Sequence, residues 1–203
     1  MHSSILNHSR QMKQNNIYPE CNVDTNLVGF VIGGYAKHKS CCNEVVKAVN
    51  HSDEFAIGII DDDKRRATMD DGFDEYKQSD EVANKHLKLF IHKDGKRYMF
   101  AVKPEMDDFI FDIANDMGVD ISSFGFGKNI DEFKKDTKRV QAATDPKLRK
   151  LFFAISDHPE IQRFRNTLRY LMLKQYRADA SVVRGFFDGR LGSQDLQGFF
   201  DNQ

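Results

Sequence analysis

The chain has 203 residues, 40% hydrophobic and 30% charged, with 30 Lys and Arg set against 31 Asp and Glu for a formal net charge of -1. That length suits one domain of ordinary core size, alone or with a helical extension. The near-neutral balance excludes a globally basic nucleic-acid footprint, and no run reaches the apolar length of a membrane span.

Residues 1–16 are polar and lack the apolar core of a signal peptide, so they read as a flexible lead-in. Ile17 to Val28 reads as a short strand, a turn and the start of a helix, with Glu20 at the strand's carboxyl end. Pro19 fits an edge or terminal strand position, because it cannot donate a ladder hydrogen bond. The helix runs from Val23 to Ile32 and stops at Gly33-Gly34. Ser40 then caps a helix reaching Asn50, with Val45, Val46 and Val49 on one face. Phe55 to Ile60 is a continuous apolar run, the pattern of a buried parallel strand. It ends in Asp61-Asp62-Asp63-Lys64, and residues 61–80 read as an acidic loop.

Leu87–His92 and Arg97–Lys103 read as strands joined by a hairpin at Lys93-Asp94-Gly95-Lys96. Pro104 opens a helix whose apolar positions run from Met106 to Met117, closed by Gly118. Residues 119–130 are Gly/Ser-rich and read as a linker. Beyond them the chain is helical and more basic. Asp145 caps a helix carrying Leu148, Leu151, Phe152 and Ile155, and a longer one runs from Pro159 to Tyr176. Phe186, Phe187, Phe199 and Phe200 in the tail read as core residues or as apolar anchors for a protein partner.

The chemistry lies in the acids. Open α/β sheets place ligands at the carboxyl ends of their strands. If the strands ending at Glu20 and Asp61 are parallel neighbours, Glu20, Asp24, Asp61 and Asp63 converge there. Hard oxygen donors in that number suit Mg²⁺, with Mn²⁺ as a substitute. Asp61 and Asp63 lead as ligands, against a solvated acidic loop. Glu20 reads as a ligand or general base, against an exposed strand-end charge. Asp24 extends the site or serves only as a helix-start acid. Lys64 either offsets charge in a phosphoryl transition state or simply pairs with the aspartates.

Glu105, Asp107 and Asp108 offer a second metal position, against first-turn acids favoured by the helix dipole. Lys103, His38 and Lys39 are phosphate contacts or plain surface residues. Lys135, Arg139 and Lys150 belong to a basic helical face that suits a nucleic-acid backbone, or solvent. Cys21, Cys41 and Cys42 do not form a disulfide framework and indicate reduced thiols in the cytoplasm. A zinc site from these and His38 lacks Cys-x-x-Cys spacing.

Glu20, the helix after it and the Asp61-x-Asp63 strand end resemble the Toprim domain over roughly residues 14–120. The Glu20-to-Asp24 spacing and Gly58-Ile59-Ile60-Asp61-Asp62-Asp63-Lys64 are most similar to the compact nuclease branch of the overcoming-lysogenization-defect (OLD) group. The resemblance implies an α/β fold with a mainly parallel sheet flanked by helices over residues 17–120, and an α-helical C-terminal extension follows over 131–203. It also implies Mg²⁺-dependent hydrolysis of DNA or RNA, with the glutamate and the Asp-x-Asp pair as ligands. An ATPase partner, a role in antiviral defence and a homo-oligomer come with the same resemblance. The chain itself carries no G-x-x-x-x-G-K-[ST] loop. Two alternatives stand beside it: a phosphatase-like, phosphate-handling domain, and a non-catalytic interaction module on the same fold.

Overall fold

The run Ala56–Asp61 forms β2, buried from Ala56 to Ile60. Alternation along it feeds both sides of the sheet. Ile57 and Ile59 enter the larger core, while Ala56 and Ile60 enter a smaller one. The structure, a computed structural model, describes residues 16–62, 68–79 and 84–201. On one side of β2 lies β1 (Ile17–Pro19), parallel, with Ile17 opposite Ile57 and Pro19 opposite Ile59. On the other lies β5 (Arg97–Val102), also parallel, with Asp61 opposite Val102. β4 (Leu87–His92) pairs antiparallel with β5, and β3 (Phe73–Glu75) antiparallel with β4. The fold is therefore α/β, with a five-stranded mixed sheet in the order β1-β2-β5-β4-β3. The expected parallel character holds for β1, β2 and β5 only. β3 lies inside the stretch read as an acidic loop: Phe73-Asp74-Glu75 is mostly acidic, and none of the three is fully buried.

Pro19 is tolerated because β1 is outermost in the sheet. Its outer side is still covered: the Lys37 and Lys39 amides donate to the Ile17 and Pro19 carbonyls at 2.8 and 2.9 Å.

α1 (Asn22–Ile32) packs into the larger core and α2 (Cys42–Asn50) into the smaller. Gly58 lets α2 approach the sheet, since a Cβ there would lie 2.9 Å from Val45 and closer still to Met99. The cap of α2 is Cys41 rather than Ser40. Ser40 sits one residue earlier, where its amide and hydroxyl both donate to the Glu44 carboxylate.

α3 (Met106–Asp116) follows β5 and buries Phe109, Ile110 and Ile113. The Gly/Ser-rich stretch after it is not an open linker. Ile121–Phe124 forms a 3-10 turn, and Ile121 and Phe126 are buried in the larger core. The Phe126 ring meets Phe133 of α4 (Ile130–Thr137) edge-on at 5.3 Å. The glycines and serines shape the turns, and the apolar residues between them pack. α5 (Pro146–Ala154), α6 (Pro159–Lys174), α7 (Ala180–Asp188) and α8 (Ser193–Asp201) complete the order. Their apolar faces join the same core as β1 and α1. Phe186 and Phe187 are buried in it, Phe187 against Phe100 at 6.1 Å, so neither is an anchor for a partner. Phe200 remains exposed. No helix among the described residues is long and apolar enough to cross a membrane.

Candidate functional site at the carboxyl edge of the parallel strands

The parallel pairing of β1 with β2 puts Glu20 beside the end of β2. The Asp61 amide donates to Glu20 Oε2 at 3.1 Å. Asp61 Oδ1 in turn accepts the Met106 amide at 2.9 Å, tying β2 to the start of α3. Asp24 closes a capping box at the start of α1, with a cysteine in the role usually filled by Ser or Thr. The Cys21 amide donates to Asp24 Oδ2 at 3.2 Å, and the Asp24 amide to Cys21 Sγ at 3.5 Å. Asp24 is fully buried, and its Oδ1 has no hydrogen-bond partner.

A cleft of about 280 Å³ opens here, lined by Cys21, Asn22, Asp61, Asp107, Thr137 and Lys138 among others. Asp107 thus joins the strand-end acids. Its neighbours Glu105 and Asp108 turn to Lys134 of α4, which pairs with both, Asp108 at 3.0 Å. The pairing holds the Lys134 ammonium more firmly protonated than usual. Lys134, the Met106 amide and the Thr137 hydroxyl are the site neighbours that sequence patterns do not connect to the acids. Contacts between α3 and α4 bring them in.

Electrostatics mark this edge. Burial pushes the Asp24 carboxyl up, and the Glu20 and Asp107 carboxylates add to it against the Cys21 hydrogen bond. Burial does the same to Asp61, followed by repulsion from Asp24 and Glu20, against the Met106 amide. Asp107 is pushed up to about 6 by burial and the nearby Glu105, opposed by Thr137. The Cys21 thiol is pushed up by burial and by Asp24, which suits a neutral cap rather than a thiolate ligand or nucleophile.

The oxygen-rich donor set and the unpartnered Asp24 Oδ1 fit a hard cation in chemistry. The side chains are neighbours without yet being arranged as ligands: among the described residues, no three His, Cys, Asp or Glu are grouped to hold a metal ion. That also applies to the zinc set of Cys21, His38, Cys41 and Cys42, and His38 Nδ1 instead lies 3.2 Å from the Thr25 hydroxyl. Asp63 and Lys64 lie outside the described residues. Asp62 pairs with Lys88 of β4.

Of the basic residues, Lys135 and Lys150 are exposed on α4 and α5, and Arg139 is exposed in the loop between them. Lys103 is exposed just beyond β5. Compared with protein-family models, curated proteins and solved structures, the chain matches none.

Proposed function

We propose that this chain is a Mg²⁺-dependent nuclease that hydrolyses phosphodiester bonds at the edge formed by Glu20, Asp24 and Asp61. The observation that carries the reading is the Asp24 carboxylate: fully buried, unpartnered at Oδ1, and pushed up, like Asp61, first by burial and then by carboxylates on the same edge. A buried carboxylate with an unpartnered oxygen beside other carboxylates is stabilised by a bound cation. The resemblance of the Glu20 and Asp61-x-Asp63 motifs to Toprim nucleases supports the same assignment.

When bound, Mg²⁺ supplies Lewis-acid charge at a phosphoryl oxygen and acidifies water. Asp24 and Asp61 would supply the negative charge to hold it, and the sequence motif adds Asp63 as a further ligand. Glu20, half-buried and accepting the Asp61 amide, takes the proton of the attacking water. Lys64 and Lys138 neutralise charge growing on the phosphate. Closing the donors on one ion takes side-chain rotation, a common change on binding. An ATPase acting in trans and a role in antiviral defence belong to this proposal, since the chain has no phosphate loop of its own.

The test pairs calorimetric titration of Mn²⁺ with cleavage of single- and double-stranded DNA and RNA. The wild type should bind Mn²⁺ and cut. Asp24→Asn and Asp61→Asn should lose both, because an amide keeps an acceptor for the Cys21 and Met106 amides and removes the charge. A wild type that binds no Mn²⁺ would refute the metal site. One feature favours a non-catalytic interaction module: Asp61 and Glu20 already serve the fold through the Met106 and Asp61 amides. That reading predicts a melting temperature indifferent to Mn²⁺.

A further inference from the structure

Beyond the acidic cleft, two more openings follow the loop 138–145. The second, of about 400 Å³, is lined by Phe126, Arg139, Val140, Asp145 and Lys147 among others. The third, of about 230 Å³, is lined by Phe30, Gly33, Tyr35, Asp145 and Arg149 among others. The acidic cleft and the second opening share Val140, and the second and third share Asp145. The loop that joins them is pinned to α1 by two asparagines one turn apart. Asn22 Nδ2 donates to the Val140 carbonyl at 3.0 Å, and Asn26 Nδ2 to the Ala142 carbonyl at 2.8 Å. Asn26 Oδ1 also accepts the Asp145 amide.

Beyond the acidic cleft, Arg139, Lys147 and Arg149 line the second and third openings against Asp136 and Asp145, whose carboxylates accept backbone amides. Asp145 Oδ1 accepts the Lys147 and Leu148 amides as the cap of α5, and Asp136 Oδ2 accepts the Gly127 amide at 2.9 Å. Lys138, Lys147 and Arg149 form no ion pair with a carboxylate among the described residues, and Arg139 faces Asp136 only at 3.5 Å. At the far end, Tyr35 is 78% exposed and Phe153 is 71% exposed, the latter packed edge-on to Phe30 at 5.8 Å. Single-stranded nucleic acid is recognised by this combination: a cationic groove for the phosphates and exposed aromatic faces for the bases. A duplex is too wide and stiff to follow a loop-shaped path and offers no free base face.

We infer that the path from the acidic cleft over Lys138, Arg139, Lys147 and Arg149 to Tyr35 is a track for a single strand of DNA or RNA. Its phosphates meet the cations and a base stacks on Tyr35. This rests on the nuclease reading and names its substrate as single-stranded.

The test uses labelled 20-nucleotide single strands of DNA and RNA and the matching duplex, followed by fluorescence anisotropy at several salt concentrations without divalent metal. The wild type should bind single strands more tightly than duplex. Tyr35→Ala should weaken single-strand binding about tenfold without changing the salt slope, since stacking releases no counterions. Lys147→Glu with Arg149→Glu should weaken it further and flatten the slope. No single-strand binding by the wild type, tighter duplex binding, or variants equal to the wild type would each overturn the inference. Single-strand binding that needs Tyr35 and Arg149, with no cleavage when Mg²⁺ is added, would sink the nuclease reading and leave the track standing. Cleavage unaffected by these variants would do the reverse. Association of the wild type with itself or another protein through Tyr35, with no nucleic-acid binding, would assign the face to a protein partner and overturn the track.

Discussion

Two groups of carboxylates among the described residues differ in what faces them: a histidine ring in one, other carboxylates in the other. In the first, Glu160 near the start of α6 and Asp112 of α3 flank the buried His86 ring. His86 Nδ1 lies 2.7 Å from Glu160 Oε2 and Nε2 lies 3.1 Å from Asp112 Oδ2, while the His86 amide donates to Glu160 Oε1 at 3.1 Å. Burial pulls the imidazole down, but the two carboxylates outweigh it and hold it above its ordinary value. Glu160 and Asp112 are lowered in return, as hydrogen bonds to His86 outweigh their burial. In the second group, Asp24 and Asp61 are raised, while Lys134 of α4 pairs with the neighbouring Glu105 and Asp108. Burial raises the cost of charge at Glu160 and at Asp24 alike; what differs is what faces them, and carboxylates facing carboxylates are where an outside cation has most to offer.

Substitution should therefore act with opposite sign in the two places. His86→Leu strands Glu160 as a buried charge, and removing one partner of a buried pair costs about 3–5 kcal/mol. Asp24→Asn removes a charge that repels its neighbours and should raise metal-free stability by about 1 kcal/mol. Urea denaturation of both variants without divalent metal measures the contrast. Equal losses would show that Asp24 holds the fold as His86 does, and the comparison would collapse.

The two regions differ in how far the sequence announces them. Glu20, Asp24 and Asp61 are legible because each follows or opens a regular element, so a guess at strand pairing brings them to one edge. The His86 network is not legible. His86, Asp112 and Glu160 come from three separate elements, and no spacing rule relates them. The same holds for Lys134, whose reach to Glu105 and Asp108 depends on the turn at Ile121–Phe124. That turn hides in a Gly/Ser-rich stretch, where composition suggests a linker while Ile121 and Phe126 fill the core. The parallel strands β1, β2 and β5 frame the site and follow from their apolar runs. β3 is missed because Phe73-Asp74-Glu75 sits in an acidic, polar stretch and buries none of its residues fully. The basic residues of α4 and α5 read as one face, yet Lys134 bends inward to acids while Lys135 and Lys150 stay in solvent.

A pH series sharpens the contrast. His86 is raised in the folded state, so its stabilisation is fully present below the unfolded value of about 6.5 and is lost as pH rises through the folded one. Glu160 and Asp112 are lowered, so theirs is present above unfolded values of about 4 and is lost as pH falls. Lys85 also pairs with Asp112, at 3.2 Å, beside His86. The stability difference between wild type and His86→Leu should therefore be greatest between about pH 4.5 and 6.5 and shrink on both sides. A difference that is flat from pH 4 to 9 would mean that packing, rather than charge, carries the role of His86.

The smallest effect belongs to the cation that stands beside the acidic cleft without entering it. Lys134 is about one quarter exposed at its side chain, and Glu105 and Asp108 are also partly exposed, so solvent screens the pairs. Lys134→Gln should cost no more than about 1 kcal/mol, and Lys135→Gln, one residue on and exposed, nothing measurable. The informative readout is the cleft rather than the stability. Lys134 lowers Asp107 electrostatically, so its loss should raise that carboxyl further above about 6 and weaken Mn²⁺ binding at neutral pH. Lys135→Gln should leave Mn²⁺ binding unchanged. If both lysines behave alike, Lys134 acts only as diffuse surface charge, and the acid cluster must be taken to include Glu105 and Asp108 as well.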